Sequence, residues 1–347
     1  MTNINIETCH SLLTWMSEKV KKIVILTHAN PDGDALGSSL GLNCVLRKAG
    51  FQSTIVYPTW FPDLVPNQNE YNNWIIYEHH EKEANRMIEE ADLLFFLDFN
   101  DISRTGKVKN KLEKLSKTVV LIDHHPQPMV ESPFLFSDTK VSSTSELVYD
   151  FVIKMGWGSC LNDAGATALL TGIIADTASF SHNARRPELY HATANLIELG
   201  ADQLKVQESL FNTNSIDRLK LLGYALSEKM KVFPQYHAAY ISLTKEELKK
   251  YNFKIGDTEG FVNYPLSIKG IIFSTFFLEN EEKIKISFRS KGTFAANEFS
   301  SSHFGGGGHH NAAGGESKQT LSEAVEKWIS LLPVYADDLE KESLRES

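Results

Sequence analysis

The sequence predicts a two-domain α/β protein. We expect an N-terminal doubly wound parallel sheet, a smaller C-terminal α/β domain and an active site in the cleft between them. Three continuous apolar runs, Ile23–Leu26, Leu93–Leu97 and Val119–Ile122, are typical of strands buried on both faces of a parallel sheet. Helix-forming segments lie between these runs, for example residues 37–49 and 81–91. The 347 residues exceed the size at which one hydrophobic core stops growing, about 250 to 300 residues, so a second domain is expected.

Further along the chain, the pattern indicates where the first domain ends and the second begins. Residues 164–175 are apolar and rich in small side chains, which predicts a tightly packed helix. Residues 237–243 and 283–289 predict strands, and Thr320 with Glu323 forms a capping box that begins a final helix. The predicted divisions are a first domain at 1–195, a helical connector at 196–230, a second domain at 231–335 and a frayed, charged tail at 336–347.

The composition excludes several classes of protein. A hydrophobic content of 42% is that of a globular chain, and no apolar run approaches the roughly 20 residues that span a bilayer. The N-terminus lacks the pattern of a secretory signal, so we expect a cytoplasmic protein with no membrane partner. The net charge of −9 argues against long duplex nucleic acid as a partner, because proteins that bind it usually carry a basic surface.

Acidic and histidine side chains follow four apolar runs, at the point where each run ends. An isolated aspartate after a strand usually forms a turn or caps a helix, but chance does not readily explain four such ends in one domain. Because the carboxyl ends of parallel strands meet at one edge of a sheet, we expect these side chains to converge there. The candidate metal ligands are His28, Asp32, Asp34, Asp98, His124 and Asp176.

The types of these ligands narrow the choice of metal. Two imidazoles and four carboxylates, without a cysteine, suit Mn²⁺ best, with Mg²⁺, Co²⁺ or Zn²⁺ as competitors. Six ligands exceed the needs of one catalytic ion, and a bridging aspartate would hold two ions about 3.5 to 4 Å apart. Such a pair stabilises the charge of a phosphoryl group during in-line attack by hydroxide. The sequence therefore predicts a metal-dependent phosphoesterase with two Mn²⁺ ions.

The order of these motifs resembles the DHH phosphoesterase superfamily. The resemblance rests on His28-x-x-x-Asp32-x-Asp34, Asp98, Asp123-His124-His125 and Asp176. The stretch Gly305–Gly315 is similar to the motif of the associated DHHA1 substrate domain. Together they resemble the branch that contains oligoribonucleases acting on very short RNA (nanoRNases) and phosphatases of adenosine 3′,5′-bisphosphate (pAp). The resemblance covers residues 22 to 332, which is nearly the whole chain.

The resemblance implies a role for each residue of the site. One ion would be held by His28, Asp32 and Asp98, and the other by Asp34, Asp98, His124 and Asp176, so that Asp98 bridges them. Asp123 would orient the histidine pair. His125 would face the scissile phosphate as a cation or as a proton donor to the leaving oxygen.

The glycine-rich stretch and nearby cations are candidates for substrate binding. A loop that brings backbone N–H groups close to phosphate needs residues without side chains, so Gly306, Gly307 and Gly308 favour ligand binding over a flexible linker. The resemblance places an arginine beside this loop, which implies that Arg289 pairs with a terminal phosphate. The remaining candidate contacts are His309 and Arg104.

The expected reaction is hydrolysis of short 5′-phosphorylated oligonucleotides to mononucleotides, together with conversion of pAp to AMP. A cyclic-dinucleotide phosphodiesterase, an exopolyphosphatase and a RecJ-like single-strand exonuclease use the same chemistry and remain alternatives. A non-catalytic nucleotide-binding scaffold is the alternative from another class. The sequence does not decide among short RNA, short DNA and pAp, nor the polarity of cleavage, and it leaves a homodimer open.

Overall fold

The chain divides into two compact units, Met1–Thr213 and Asn214–Ser347. The structure is a computed structural model that describes residues 4–68 and 71–346, except for the side chains of residues 309 and 346. The predicted connector at 196–230 is shared between the units, because the division falls within it.

The first unit contains a six-stranded sheet in which every pair of neighbouring strands is parallel. The order of its strands is β3-β2-β1-β4-β5-β6, so the chain reverses direction of winding after β3. This order confirms the predicted doubly wound α/β fold. The strands are β1 (Lys22–Leu26), β2 (Gln52–Tyr57), β3 (Trp74–Ile76), β4 (Leu93–Leu97), β5 (Val119–Asp123) and β6 (Phe134–Ser137).

Eight α-helices are described in the first unit. They are α1 (Ile6–Lys19), α2 (Gly33–Lys48), α3 (Glu81–Glu90), α4 (Lys109–Leu112), α5 (Thr144–Lys154), α6 (Asp163–Asp176), α7 (Pro187–Glu198) and α8 (Gln203–Phe211). A 3₁₀ segment, Ile102–Val108, follows β4, and a shorter one, Gly158–Cys160, follows α5.

Both faces of the first sheet are buried, which explains the continuous apolar runs. Ile23 and Ile25 of β1 pack into the larger cluster, with side chains of α1, α2, α5 and α6. Val24 and Leu26 point to the other face and pack with α3 and α4. Because successive side chains of a strand alternate between faces, each face receives every second residue.

Helices α2 and α6 cross at very short distance. A Cβ atom added at Gly37 would lie 2.4 Å from the carbonyl oxygen of Ala168 and 2.6 Å from the amide nitrogen of Gly172. A Cβ atom at Gly172 would lie 2.6 Å from Oδ1 of Asp34. The glycines therefore allow the two helices, and the Asp34 carboxylate, to approach each other.

The second unit is built on a mixed sheet in the order β11-β12-β10-β9-β8-β7, in which only the β8–β9 pair is parallel among the described strands. One face packs against α11, α12 and α13, and the other against α9 and α10. The elements are α9 (Ile216–Tyr224), β7 (Met230–Phe233), β8 (Ala238–Leu243), α10 (Lys245–Lys250), β9 (Phe273–Glu279), β10 (Ile284–Ser290), α11 (Ala296–Phe304), β11 (Gly307–His309), β12 (Ala312–Ser317), α12 (Leu321–Leu331) and α13 (Ala336–Glu346). Short helical segments, Ala225–Lys229, Pro234–Tyr236, Phe261–Ser267 and Leu332–Tyr335, connect them.

Three predictions about individual segments are wrong. The tail is not frayed, because residues 336–346 form α13, whose Leu339 is fully buried and whose Glu342 accepts a hydrogen bond from Thr293. The glycine-rich stretch is not a loop, because its two halves pair as the antiparallel strands β11 and β12. The fourth run before a candidate ligand is not a strand: residues 164–175 form a helix, as their composition predicts, and Asp176 is the last residue of this helix, α6. Within the described residues, no helix is long and apolar enough to cross a membrane.

The crossing of α2 and α6 predicts that Gly37→Ala lowers the free energy of unfolding by about 2 to 3 kcal/mol, because the added methyl group meets backbone atoms that cannot move aside. Urea denaturation followed by circular dichroism measures this change. The matched control is Gly223→Ala in α9, where an added Cβ atom meets no atom within 4 Å. The control is expected to gain about 0.5 to 1 kcal/mol from helix propensity. Equal stability of Gly37→Ala and the wild type would contradict the close crossing.

Candidate metal centre

The turn between β1 and α2 carries the first three candidate ligands. His28 comes two residues after the strand and is 7% exposed. Asp32 is the N-cap of α2, and its Oδ1 accepts hydrogen bonds of 3.1 Å from the amides of Asp34 and Ala35. The cap leaves Oδ2 of Asp32 on the side of His28, 3.8 Å from its Nε2. Helix capping therefore sets the orientation of one carboxylate towards the site.

Asp98 follows β4 in a conformation that is uncommon for residues other than glycine, with φ of 64°. Its carboxylate is buried, and the two oxygens face different partners. Oδ2 lies 3.4 Å from Nε2 of His28, whereas Oδ1 lies 3.7 Å from Nε2 of His124. Asp98 thus lies between His28, which follows β1, and His124, which follows β5.

The end of β5 brings in two histidines and a buried aspartate. Nε2 of His124 lies 3.3 Å from Oδ2 of Asp176, which projects from the C-terminal end of α6. Nδ1 of His125 lies 2.7 Å from Oδ1 of the fully buried Asp123. This contact orients the His125 ring and favours a proton on its Nδ1.

The first turn of helix α5 binds the carboxylates of Asp34 and Asp98. The amides of Thr144 and Ser145 donate to the two oxygens of Asp34, at 2.6 and 2.9 Å. The hydroxyl of Thr144 also donates to Oδ1 of Asp98, at 2.9 Å. Because the N-terminus of a helix carries partial positive charge, it favours anionic groups at this position.

A buried ion pair fixes this end of α5. Glu146 is 2% exposed and accepts a hydrogen bond of 2.8 Å from Nη1 of Arg186, which precedes α7. Its other oxygen accepts from the amide and the hydroxyl of Ser142, at 2.8 and 2.9 Å. The pair therefore ties the turn before α5 to the segment after α6.

The candidate ligands form overlapping groups. In each group, one ligand atom per residue lies within 4.8 Å of the others. Asp98, His124 and His125 also satisfy this distance, so His125 lies at the border of the site. The two groups that match the predicted ligands are His28, Asp32 and Asp98, and Asp34, His124 and Asp176.

Several carboxylates lie close together in a buried site, and both burial and their mutual charge shift the pKa values of four side chains. Burial raises the pKa of the Asp34 carboxyl well above its usual range, and the charge of Asp98 raises it further. Burial and the charge of Asp34 act in the same way on Asp176. Burial by itself would lower the pKa of His28, but the carboxylates of Asp32 and Asp98 raise it to about 10. Against the effect of its burial, the pKa of Asp98 is lowered by His28 and the other histidines.

These features fit a site for divalent cations. The donors are carboxylate oxygens and imidazole nitrogens, the set that Mn²⁺ and Mg²⁺ accept. Nε2 of His28 is buried and makes no hydrogen bond among the described residues. A cation would supply both a partner for this nitrogen and the positive charge that the clustered carboxylates lack.

The predicted substrate contacts are placed as follows. Arg104 lies in the 3₁₀ segment after β4, and its carbonyl accepts a hydrogen bond of 2.7 Å from the amide of Ala29. Arg289 lies on β10 of the second unit, partly buried, with its Nη1 donating to the carbonyl of Phe288. Gly306 precedes β11, while Gly307 and Gly308 belong to it. The side chain of His309 lies outside the described part of the chain, and the roles of all these residues stay predictions.

Sequence reasoning missed the residues behind the ligands, namely Thr144, Ser145, Glu146 and Arg186. A signal for the helix start was present, because Ser143 followed by Glu146 has the spacing of a capping box. Nothing in the spacing indicates that the amides of this helix would bind a carboxylate 110 positions earlier in the chain.

Two family models match the chain. The model of the DHH family, N-terminal domain, matches residues 22–173, and the model of the DHHA1 domain matches residues 234–332. The first match contains every candidate ligand except Asp176, which lies just beyond its end.

Individual proteins are similar over most of the chain. The bifunctional oligoribonuclease and PAP phosphatase NrnA of Thermus thermophilus is 30% identical over 278 residues, which are 79% of this chain and 78% of that protein. Among solved structures, an exopolyphosphatase-related protein from Bacteroides fragilis is 38% identical, with a TM-score of 0.94 over 98% of this chain and 100% of that one. RecJ from Thermus thermophilus, in complex with Mn²⁺, has a TM-score of 0.53 at 15% identity and covers 99% of this chain and 55% of that chain, which shows a shared fold alone.

The raised pKa of His28 predicts a pH-dependent affinity for divalent cations. Below pH 10 a cation must displace the proton of this ligand, so affinity falls as the pH falls. If one proton is released when the cation binds, the affinity falls about tenfold for each unit by which the pH is lowered. Further protons released from Asp34 or Asp176 would make this dependence steeper. Titration calorimetry between pH 6 and pH 8, in buffers of different ionisation enthalpy, measures both affinity and proton release. An affinity that does not change with pH would contradict the protonation of His28.

The ion pair between Glu146 of α5 and Arg186 predicts that Glu146→Gln weakens cation binding, although Glu146 is not a candidate ligand. Loss of the pair with Arg186 loosens the helix end that holds Asp34 and Asp98, and loss of such a supporting contact typically costs roughly 10- to 100-fold in metal affinity. The control is Glu188→Gln, since Glu188 is exposed and its Oε2 lies 3.9 Å from Arg186. Circular dichroism verifies folding of both variants. Wild-type affinity in folded Glu146→Gln would show that the pair does not position the ligands.

Proposed function

Because this chain belongs to the DHH family and carries a DHHA1 domain, we propose that it is a Mn²⁺-dependent phosphoesterase that hydrolyses short 5′-phosphorylated oligonucleotides to mononucleotides and pAp to AMP. The observation that carries this proposal is the placement of Asp98, whose two carboxylate oxygens face two different groups of ligands. That arrangement suits two ions bridged by one carboxylate. The substrate class is supported by the name of the NrnA relative.

The two ion sites follow from the groups of ligands. His28, Asp32 and Asp98 form one group and would hold one ion. Asp34, His124 and Asp176 form another group and would hold the second ion, together with Asp98, whose Oδ1 lies 3.7 Å from Nε2 of His124. When bound, the ions would neutralise charge on the phosphoryl group and make a water molecule acidic enough to serve as the nucleophile. The α5 amides keep both oxygens of Asp34 in place for this purpose.

His125 is the group of this chain that would transfer a proton. Oδ1 of Asp123 would accept a hydrogen bond from the Nδ1–H group of His125, which lies 2.7 Å away. Nε2 would then donate a proton to the oxygen that leaves the phosphorus, or interact with the phosphate as a cation. The same pairing of a buried carboxylate with a histidine holds the ring in one orientation during the reaction.

Substrate binding is assigned to cations and glycines outside the metal site. Arg104 lies beside the loop that carries His28, which makes it a candidate contact for phosphate. In the second unit, Arg289 would pair with a terminal phosphate, since a guanidinium group binds phosphate with two parallel hydrogen bonds. Gly306, Gly307, Gly308 and His309 would contact the nucleotide at the end of the substrate.

A second candidate function is hydrolysis of polyphosphate, because the similar Bacteroides fragilis structure is described as exopolyphosphatase-related. Initial rates with Mn²⁺ on pApA, pAp, cyclic di-AMP, polyphosphate and a series of longer single strands separate the alternatives. We expect the highest kcat/KM on dinucleotides and a decline with length, because a surface of net charge −9 repels a long polyanion. Preference for polyphosphate, or for long strands, would overturn the proposed substrate class.

The proposed roles predict different defects for two variants. Asp98→Asn is expected to lose both cation binding and hydrolysis, because it removes the ligand shared by the two sites. His125→Ala is expected to keep cation binding and to lower kcat by about 10²- to 10⁴-fold, the usual contribution of a general acid. Calorimetry and initial rates on pApA measure the two properties separately.

The control for these variants is His80→Gln, because His80 is exposed and lies before α3, outside the ligand groups. It should bind cations and hydrolyse pApA as the wild type does. Full activity of Asp98→Asn would exclude the two-ion mechanism, whereas loss of cation binding in His125→Ala would make His125 a ligand.

A further inference from the structure

Trp60 is a large aromatic side chain left in solvent at the ligand-bearing edge of the first sheet. It follows the carboxyl end of β2 and is 63% exposed, whereas its neighbour Phe61 is 6% exposed. The ring of Phe61 packs 4.4 Å from that of Tyr57 and 5.2 Å from that of Trp74. The backbone around Trp60 is therefore anchored by buried neighbours, while its own indole remains outside the core.

The segment that carries Trp60 is attached to the metal-binding turn. The amide of Asn30, which lies between His28 and Asp32, donates a hydrogen bond of 2.7 Å to Oγ1 of Thr59. β2 and β1 are neighbouring strands, so their following segments leave the same edge of the sheet. Trp60 is thus one residue away from a hydrogen bond that shapes the turn with the ligands.

A second segment bonded to the same turn carries two cationic residues, Arg104 and Lys107. The amide of Ala29 donates to the carbonyl of Arg104, at 2.7 Å, and a Cβ atom added at Gly106 would lie 3.4 Å from that of Ala29. Lys107 follows and is exposed. Within the described residues, neither Arg104 nor Lys107 forms an ion pair. The turn is therefore bonded to one segment that carries an exposed indole and to another that carries two cationic side chains.

A planar aromatic group and nearby cations are the two features that bind a nucleotide, since bases stack on indole rings and cations attract the phosphates. We propose that Trp60 stacks on a nucleobase of the substrate at the metal centre, while Arg104 and Lys107 attract a phosphate next to the scissile one. This inference rests on the proposed function, in that the substrate is a nucleotide. A single indole offers too little area to hold a protein partner, for which about 800 Å² on each side is usual.

Fluorescence tests the stacking without any need for turnover. Of the five tryptophans, all of which the structure describes, Trp60 alone is exposed, so it reports on ligands that reach this edge. We expect AMP to quench the emission of the Mg²⁺-loaded protein and ribose 5-phosphate, which lacks the base, to have little effect. Trp60→Phe should abolish the quenching, whereas the control Trp15→Phe should retain it. Quenching that persists in Trp60→Phe, or equal quenching by both ligands, would overturn the proposal.

Kinetics test the same contact on matched substrates. Trp60→Ala is expected to lower kcat/KM for pAp on the order of 10- to 100-fold, mainly through KM, because stacking of one base is lost. Trp60→Phe should recover part of the loss. Hydrolysis of ribose 3′,5′-bisphosphate, the same substrate without its base, should be equal in the wild type and Trp60→Ala.

The outcomes separate this inference from the proposed function. If the wild type hydrolyses pAp and Trp60→Ala does so equally well, the stacking role is wrong and the proposed function stands. If the wild type hydrolyses no nucleotide, the proposed function fails, and quenching by AMP still decides whether Trp60 contacts a base. An equal loss on both bisphosphates would assign Trp60 to the integrity of the turn and not to the base.

Discussion

Buried carboxylates that repel one another impose the main constraint on the first unit. Asp34 and Asp98 share a site in which burial makes a charge on either carboxylate unfavourable. The first turn of α5 stabilises both carboxylates, because its amides donate hydrogen bonds to Asp34 and the hydroxyl of Thr144 donates one to Asp98. This contact requires α5 to lie behind α2, and α6 to pass close enough that only a glycine fits at position 172. The packing of these three helices and the positions of the ligands therefore depend on the same contacts.

Much of the first unit could be predicted because local signals agree with the fold. The apolar runs of β1, β4 and β5 were recognisable since a sheet buried on both faces admits no polar alternation. Their ends identified candidate ligands because side chains after parallel strands share one edge. Asp176 was found with the right neighbours although it ends the helix predicted at residues 164–175 and not a strand, so the rule of strand ends held for only three of the four runs.

What could not be predicted depends on contacts between distant segments. The pair of Glu146 and Arg186 joins residues 40 positions apart, and no spacing rule indicates it. The glycine-rich stretch was ambiguous for a different reason: a Cβ atom at Gly306 would lie 1.8 Å from the carbonyl oxygen of Gly314, so strand packing alone already requires glycine there. The helix α13 was missed because one buried leucine, Leu339, anchors a segment that is otherwise charged.

The wide separation of the ligands along the chain has a consequence for folding. Asp34 and Asp176 belong to one group of ligands but lie 142 positions apart in the chain, so the site has high contact order. A cation that needs both of these ligands binds the native state and not earlier intermediates, and it stabilises the native state by mass action. Such binding would slow unfolding while leaving the rate of folding nearly unchanged, because the cation binds only after the ligand-bearing segments have packed together.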